Sequence, residues 1–213
     1  MDARIKKMYL EEAAWGGRWL YEKGFSPAGD SGDVSVRDPE TGLVYISGDV
    51  KDILLPYNNN GELRACDTAV LDLEGNTLTP NVNPTVEAPM HLAIYRARPD
   101  VNAIVHTHAT YSSAFAIANQ DIPLALAEHY IHLGDTVKCA GYGKVGSDEL
   151  ADNIVEALGS NYAALLKNHG AVLVADTMQD AYIKATFLEN IAQKVILAKL
   201  LGNVDEINYE DGI

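Results

Sequence analysis

The sequence has few of the features that mark secreted or membrane-spanning proteins. Only two of its 213 residues are cysteine, Cys66 and Cys139, and they form no CxxC pair. A disulfide framework is therefore not expected, and a reducing compartment is the simpler interpretation. No run of about 18 uninterrupted apolar residues occurs, and the N-terminus lacks the pattern of a signal peptide. We therefore expect a cytoplasmic protein that neither spans nor binds a membrane.

Positive charge is also scarce. The 16 lysines and arginines stand against 30 aspartates and glutamates, which gives a formal net charge of −14. Such a charge repels nucleic acid and anionic lipid, although one local pocket can still bind an anion. The chain is 47% apolar and has no repeat of fixed period. This composition predicts a single globular domain over 1–213, with an acidic tail from about 203.

Apolar periodicity and turn residues predict a mixture of helices and strands. We expect helices over 3–23, about 85–98, 110–118, 147–157 and 177–201, and strands over 33–38, 43–47, 68–73, 102–108, 122–126, 136–140, 163–167 and 171–176. The first two strands form a hairpin across the turn "PETG". The pattern predicts an α/β fold with a mixed, mostly antiparallel sheet between helices.

The stretch "IVHTHATYSSAF" (104–115) places two histidines two residues apart in an apolar strand. Side chains two apart share one face of a strand, about 6–7 Å from each other. His106 and His108 can therefore reach one cation, and His169, in the tight turn of "LLKNHGAVLV", is the third candidate. Three imidazoles with an open position are typical of catalytic zinc. The alternative, ordinary histidines without a metal, is about equally supported by the pattern alone.

Glu87 precedes the helix that is expected from about residue 85. A carboxylate beside a divalent cation can move a proton on a carbon that the cation activates. A glutamate that merely complements the helix dipole is the favoured interpretation from position alone. His91, four residues further on, shares the same helix face and is expected to pack or support rather than to bind a metal.

The segment "GYGKVG" (141–146) fits G-x-G-x-x-G after a predicted strand. A dinucleotide site also needs an acidic residue about 20 residues on. Position 166 lies in "ALLKN", which contains no acid. We interpret these glycines as a loop rather than as a nucleotide site.

Four segments occur in one order: "E-x-x-x-H" (87–91), "RPDVNAIVHTHATYSSAFA" (98–116), "IP" (122–123) and "LLKNHGAVLV" (165–174). Together they resemble the class II aldolase/adducin-like family over about residues 3–201. The resemblance implies a three-layer α/β/α fold, zinc bound by His106, His108 and His169, and Glu87 as the acid–base carboxylate. Manganese or cobalt would also suit three imidazoles. Family members are commonly homotetramers with active sites between subunits.

The activity that this resemblance implies is zinc-dependent retro-aldol cleavage of a ketose or ketose phosphate through a metal-stabilised enediolate. This is the reaction of an aldehyde-lyase in carbohydrate metabolism. A sugar-phosphate 4-epimerase and a metal-dependent decarboxylase or dehydratase are alternatives within the family. From another class, a non-catalytic adducin-like structural module needs no metal ligands, so the three histidines argue against it.

The sequence departs from the family where members bind phosphate. The loop "SGDVSVR" carries Asp33 in place of an asparagine, and the usual paired serines are Thr85 and Val86, while Ser47 and Gly48 keep a Ser-Gly pair. These five residues are the expected substrate contacts. A carboxylate at this position should repel a phosphate dianion. We therefore expect an unphosphorylated or differently charged substrate, or weak activity on sugar phosphates.

The tyrosine that would donate a proton to the leaving aldehyde is harder to place. Tyr130 follows the "IP" segment and is the first candidate, and Tyr209 in the tail could serve a neighbouring subunit. An ordinary surface or packing tyrosine is the favoured interpretation for both.

Overall fold

The computed structural model describes residues 2–49 and 59–207. Its strands are β1 Asp33–Arg37, β2 Val44–Ser47, β3 Thr68–Leu71, β4 Ala103–Thr107, β5 Cys139–Ala140, β6 Ala163–Leu166 and β7 Gly170–Ala175. Its helices are α1 Lys7–Glu22, α2 Ala88–Ala97, α3 Thr110–Ala118, α4 Ala127–Leu133, α5 Asp148–Leu158 and α6 Met178–Leu201. Tyr209 lies outside the described residues.

One sheet of seven strands organises the fold, in the order β3-β2-β1-β4-β7-β6-β5. Every neighbouring pair is antiparallel except β5 and β6, which are parallel. The prediction of a mixed, mostly antiparallel sheet is therefore confirmed. Strands β4 and β7 lie near the middle and are buried along their whole lengths, which explains their continuous apolar sequences.

Helices cover both faces of the sheet, so the three-layer prediction is confirmed as well. On one face, apolar residues of α1, α3, α4 and α6 pack against alternate strand residues such as Val105. On the other face, α2 and α5 pack against the intervening residues such as Ile104. His106 shares the face of Ile104, because residues two apart in a strand point the same way. Its side chain is thus directed toward the layer that contains α2.

The predicted secondary structure differs most from the observed one in the segment between α3 and β5. The predicted strand 122–126 is wrong, because within it only Ile122 forms a bridge, to Val137. Pro123 follows at once and has no N–H to continue a ladder. The predicted strand 136–140 is reduced to Cys139–Ala140, and helix α4, which was not predicted, lies between the two segments.

Several boundaries also differ from the prediction. Helix α1 begins at Lys7 rather than near residue 3, and α2 begins at Ala88 with Pro89 in its first turn. The described part of the acidic tail, 203–207, is neither helix nor strand, and the Ile207 amide donates to the Leu124 carbonyl. Within residues 2–49 and 59–207, the structure has no helix that is both long and apolar enough to cross a membrane.

Candidate metal and active site

The middle of the sheet fixes the first two histidines. His106 is fully buried on β4, and its Nδ1 lies 3.0 Å from the Ala171 carbonyl oxygen on β7. A carbonyl only accepts, so Nδ1 carries the ring proton and Nε2 keeps a free lone pair. That Nε2 lies 3.0 Å from the Nε2 of His108, which directly follows β4. The two rings therefore converge, as the alternation of strand side chains predicts.

The turn between β6 and β7 brings His169 to the same place. Asn168 adopts a left-handed conformation (φ 57°) that asparagine tolerates, and its amide donates to the Ala116 carbonyl. A Cβ on Gly170 would collide with the Thr107 carbonyl of β4, so only glycine allows this close approach. The His169 ring centroid lies 4.8 Å from that of His106 and 4.9 Å from that of His108.

The three rings suit a divalent cation. One nitrogen from each of His106, His108 and His169 lies within 4.8 Å of the other two. Tetrahedral zinc with bonds of 2.0–2.1 Å would separate two ligand nitrogens by about 3.3 Å, close to the 3.0 Å between His106 and His108. Burial lowers the pKa of all three rings to about 4, so their lone pairs are free at neutral pH. The three histidines are therefore suited to bind a divalent metal ion, but they do not determine which metal it is.

Glu87 lies beside this cluster at the start of α2. It is buried, and its Oε2 is 4.0 Å from the His106 Nε2. Within the described residues, neither carboxylate oxygen has a hydrogen-bond partner. Burial, reinforced by the nearby Asp33 charge, raises the Glu87 pKa to about 8. The carboxyl group is therefore positioned to exchange a proton with a molecule held by the histidines.

Asp33 belongs to a buried polar chain next to Glu87. Its Oδ1 is 2.9 Å from the His91 Nε2, and its Oδ2 accepts from the Thr85 hydroxyl at 2.6 Å. The His91 Nδ1 contacts the Ser35 hydroxyl at 2.7 Å, which in turn contacts the Tyr95 hydroxyl at 2.8 Å. Burial alone would raise the Asp33 pKa, but His91, His106 and the Thr85 hydroxyl together lower the pKa to about 2. His91 thus supports Asp33 in this structure.

These groups line one cavity of about 160 Å³. The three histidines and Glu87 lie in its wall, together with all five expected substrate contacts: Asp33, Ser47, Gly48, Thr85 and Val86. Among the described residues, the structure therefore brings every predicted site residue to one place except Tyr130. Tyr130 lies on α4, is 42% exposed and does not line the cavity.

Three residues of the cavity were not predicted from the sequence: two belong to the loop that precedes β1, and the third holds that loop in place. Asp30, Ser31 and Asn60 also line the cavity. The buried Asn60 amide donates to the carbonyls of Ser31 and Gly32 at 3.2 and 3.1 Å. The only signal of this role in the sequence is the unusual density of asparagine in "NNNG".

Gly32 is required by the same loop. Its φ is +74°, and a Cβ there would meet the His106 carbonyl oxygen at 2.7 Å. A residue with a side chain would be strained in this conformation and would press on the backbone of β4. The loop can therefore approach His106 only because residue 32 is glycine.

Comparison with known proteins identifies the family to which this chain belongs. The family model "Class II Aldolase and Adducin N-terminal domain" matches residues 11–196, and the chain belongs to this family. The 5-deoxy-D-ribulose 1-phosphate aldolase of Bacillus thuringiensis serovar kurstaki is 33% identical over 192 residues, which are 90% of this chain and 86% of that protein.

Two further relatives agree with this assignment. An L-fuculose phosphate aldolase of Methanococcus maripaludis is 34% identical over 176 residues, covering 83% of this chain and 89% of the relative. A solved L-fuculose 1-phosphate aldolase superposes with a TM-score of 0.87 at 30% identity, over 97% of this chain and 93% of the other. The protein is accordingly an enzyme of the aldolase type, an aldehyde-lyase.

Proposed function

We propose that the protein is a zinc-dependent aldolase that cleaves a ketose or ketose phosphate in the retro-aldol direction. The observation that carries this proposal is the convergence of His106, His108 and His169 beside the buried carboxylate of Glu87. The curated relatives support it, because their names describe aldolases that act on sugar phosphates. Manganese or cobalt could replace zinc at three imidazoles.

Each residue has a defined task in this proposal. The three imidazoles hold the cation, which when bound supplies Lewis-acid stabilisation of negative charge that develops on the sugar oxygens. Glu87 moves a proton at the carbon where the carbon–carbon bond breaks. Asp33, Ser47, Gly48, Thr85 and Val86 orient the rest of the sugar, since all five line the cavity.

The proposed enzyme is a cytoplasmic homotetramer with active sites between subunits. Val86 and Val145 line the cavity and yet are 55% and 47% exposed, so the rim of the site offers apolar surface that a second subunit could cover. Tyr130 can act as the proton donor only if such contacts bring it to a neighbouring site, because it lies outside the cavity of its own chain. Light scattering of the purified protein tests this arrangement through its mass.

Metal analysis and a cleavage assay test the proposed function. We expect about one zinc per chain in protein purified without a metal-binding tag. Ketoses and ketose phosphates should release a three-carbon fragment or a smaller aldehyde, and a chelator should abolish this release. His169→Ala should lose both the metal and the activity, whereas His132→Ala, which alters a histidine outside the cavity, should keep both. Metal-free, inactive protein would contradict the proposal, and an epimer without released fragments would indicate an epimerase.

A further inference from the structure

The cavity is unusually acidic for a site that would receive a phosphoryl group. In the described part of the chain, four acidic side chains line it, those of Asp30, Asp33, Asp49 and Glu87. Among residues 2–49 and 59–207, no lysine or arginine lines it. Proteins usually bind phosphoryl groups through arginine, lysine and backbone amides. The lining side chains that the structure describes therefore give a phosphate dianion repulsion and no cationic partner.

Asp33 is the carboxylate best placed to act on a substrate. It pairs with His106 across β1 and β4, and directly opposed residues on neighbouring strands share one face of the sheet. Its carboxylate is therefore on the side where the histidines converge. Asp33 is buried, its Oδ2 accepts a hydrogen bond from the Thr85 hydroxyl at 2.6 Å, and its Oδ1 lies 2.9 Å from the His91 Nε2. A carboxylate held in this way cannot swing out to avoid an approaching anion.

The same carboxylate can still accept further hydrogen bonds. Each carboxylate oxygen has two lone pairs. The Thr85 hydroxyl uses one on Oδ2, and Oδ1 accepts no hydrogen bond from the described residues. A sugar hydroxyl donates a hydrogen bond without bringing negative charge. A fixed carboxylate in a confined pocket therefore favours a hydroxyl over a phosphoryl group at the same position.

We propose that Asp33, braced by His91 and Thr85, is a specificity-determining residue that makes the site prefer an uncharged polyol end over a phosphorylated one. This inference rests on the proposed function, because it places the sugar against the histidine cluster. It concerns only the part of the sugar that the cation does not hold. The preferred substrate class is then the free ketoses.

The first test uses the unaltered, zinc-loaded protein. Dihydroxyacetone and dihydroxyacetone phosphate present the same ketone and hydroxyl groups and differ only in the phosphoryl group. Isothermal titration calorimetry should show that dihydroxyacetone binds at least as tightly as its phosphate. Tighter binding of the phosphate by about tenfold or more, which is about 1.4 kcal/mol, would overturn the proposal, and so would binding of neither ligand.

The second test replaces one carboxylate oxygen of Asp33 with an amide nitrogen. In Asp33→Asn, the amide has the shape of the carboxylate and its oxygen can still accept from the Thr85 hydroxyl, so the packing is retained. Removal of the like charge should tighten binding of the phosphate by about tenfold or more, with little gain for dihydroxyacetone. Asp152→Asn is the matched control, because it removes the same charge from an exposed position outside the cavity. Weaker phosphate binding by Asp33→Asn than by the control would contradict the proposal.

This binding preference and the proposed cleavage can fail separately. A protein that prefers dihydroxyacetone but cleaves no ketose retains the role of Asp33 and loses the proposed reaction. A protein that cleaves ketose phosphates faster than free ketoses, and is slowed by Asp33→Asn, retains the reaction and loses the proposed role of Asp33.

Discussion

Burial acts on the acidic and basic residues of the cavity in opposite directions. It raises the pKa of Glu87 to about 8 and lowers the pKa of His106, His108 and His169 to about 4. Both shifts have the same largest cause, because a low-dielectric environment disfavours whichever form carries charge. The same environment that frees the histidine lone pairs for a cation therefore makes a carboxylate costly. The Glu87 side chain is thus retained at the expense of stability.

Glu87→Gln tests both the proposed catalytic role of Glu87 and its cost to the stability of the fold. We expect the cleavage rate to fall by a factor of about 10²–10⁴, as is typical when a general acid–base is lost. The free energy of unfolding should stay the same or rise, because the described structure gives the carboxylate no hydrogen-bond partner. Steady-state kinetics and urea unfolding measure the two effects. Glu156→Gln, on an exposed face of α5, should change neither, and an active Glu87→Gln enzyme would remove Glu87 from the mechanism.

Ser35 is the residue on which the buried chain behind Asp33 depends. Its hydroxyl contacts both the His91 Nδ1 and the Tyr95 hydroxyl, at 2.7 and 2.8 Å. Ser35→Ala leaves two buried polar groups without this partner and should cost about 1–3 kcal/mol of stability. Tyr95→Phe removes one of those groups, so the double variant should lose less than the sum of the two single variants. Additive losses in urea unfolding would show that the contacts are not coupled.

Helix ends show where local sequence is sufficient and where it is not. Ser147 and Thr177 cap α5 and α6 through their own hydroxyls, which accept from the amides of Leu150 and Asp180, and both helix starts were predicted. Helix α3 begins after Ala109, whose methyl group cannot cap. Its start was predicted without any capping residue, and its cap is supplied by another helix.

That cap is Glu189 of α6. One carboxylate oxygen accepts from the Tyr111 amide at 2.6 Å, and the other accepts from the amide and hydroxyl of Ser112, each at 2.9 Å. Glu189→Ala should therefore cost about 1–3 kcal/mol in urea unfolding. Because α3 starts just after His108, zinc affinity measured by chelator competition should also weaken. Glu189→Gln keeps an acceptor and should lose less, and equal losses in both variants would refute a capping role.

The elements with strong periodicity were predicted, and the segments without it were not. Alternation and apolar runs predicted β1, β4, β6 and β7, helical spacing predicted α1, and capping residues with glycine stops predicted α5 and α6. Helix α4 has only seven residues, too few for a clear period. The histidines were foreseeable because residue type and spacing indicate metal chemistry, whereas the acid–base role of Glu87 was implied only by the family resemblance. Asn60 was not foreseeable, because its role consists of contacts from a side chain to distant carbonyls.

At the scale of the whole molecule, the proposed metal site lies where the sheet is most deeply buried. His106 and His108 come from β4 and its end, and His169 comes from the turn that leads into β7. Strands β4 and β7 are neighbours at the centre of the sheet. A bound cation would therefore join two chain segments that are far apart in sequence. The net charge of −14 further favours the approach of a cation over that of an anion.

Zinc should consequently stabilise the whole fold. A ligand that binds only the folded state adds about 2.7 kcal/mol at a free concentration 100 times its dissociation constant. We expect the melting temperature to fall on treatment with a chelator and to recover when zinc is restored, as measured by scanning calorimetry. His169→Ala should melt at one temperature with or without zinc, whereas His132→Ala, whose ring stacks on Phe187, should respond as the unaltered protein does. A zinc response that survives His169→Ala would place the stabilising metal somewhere other than the three converging rings.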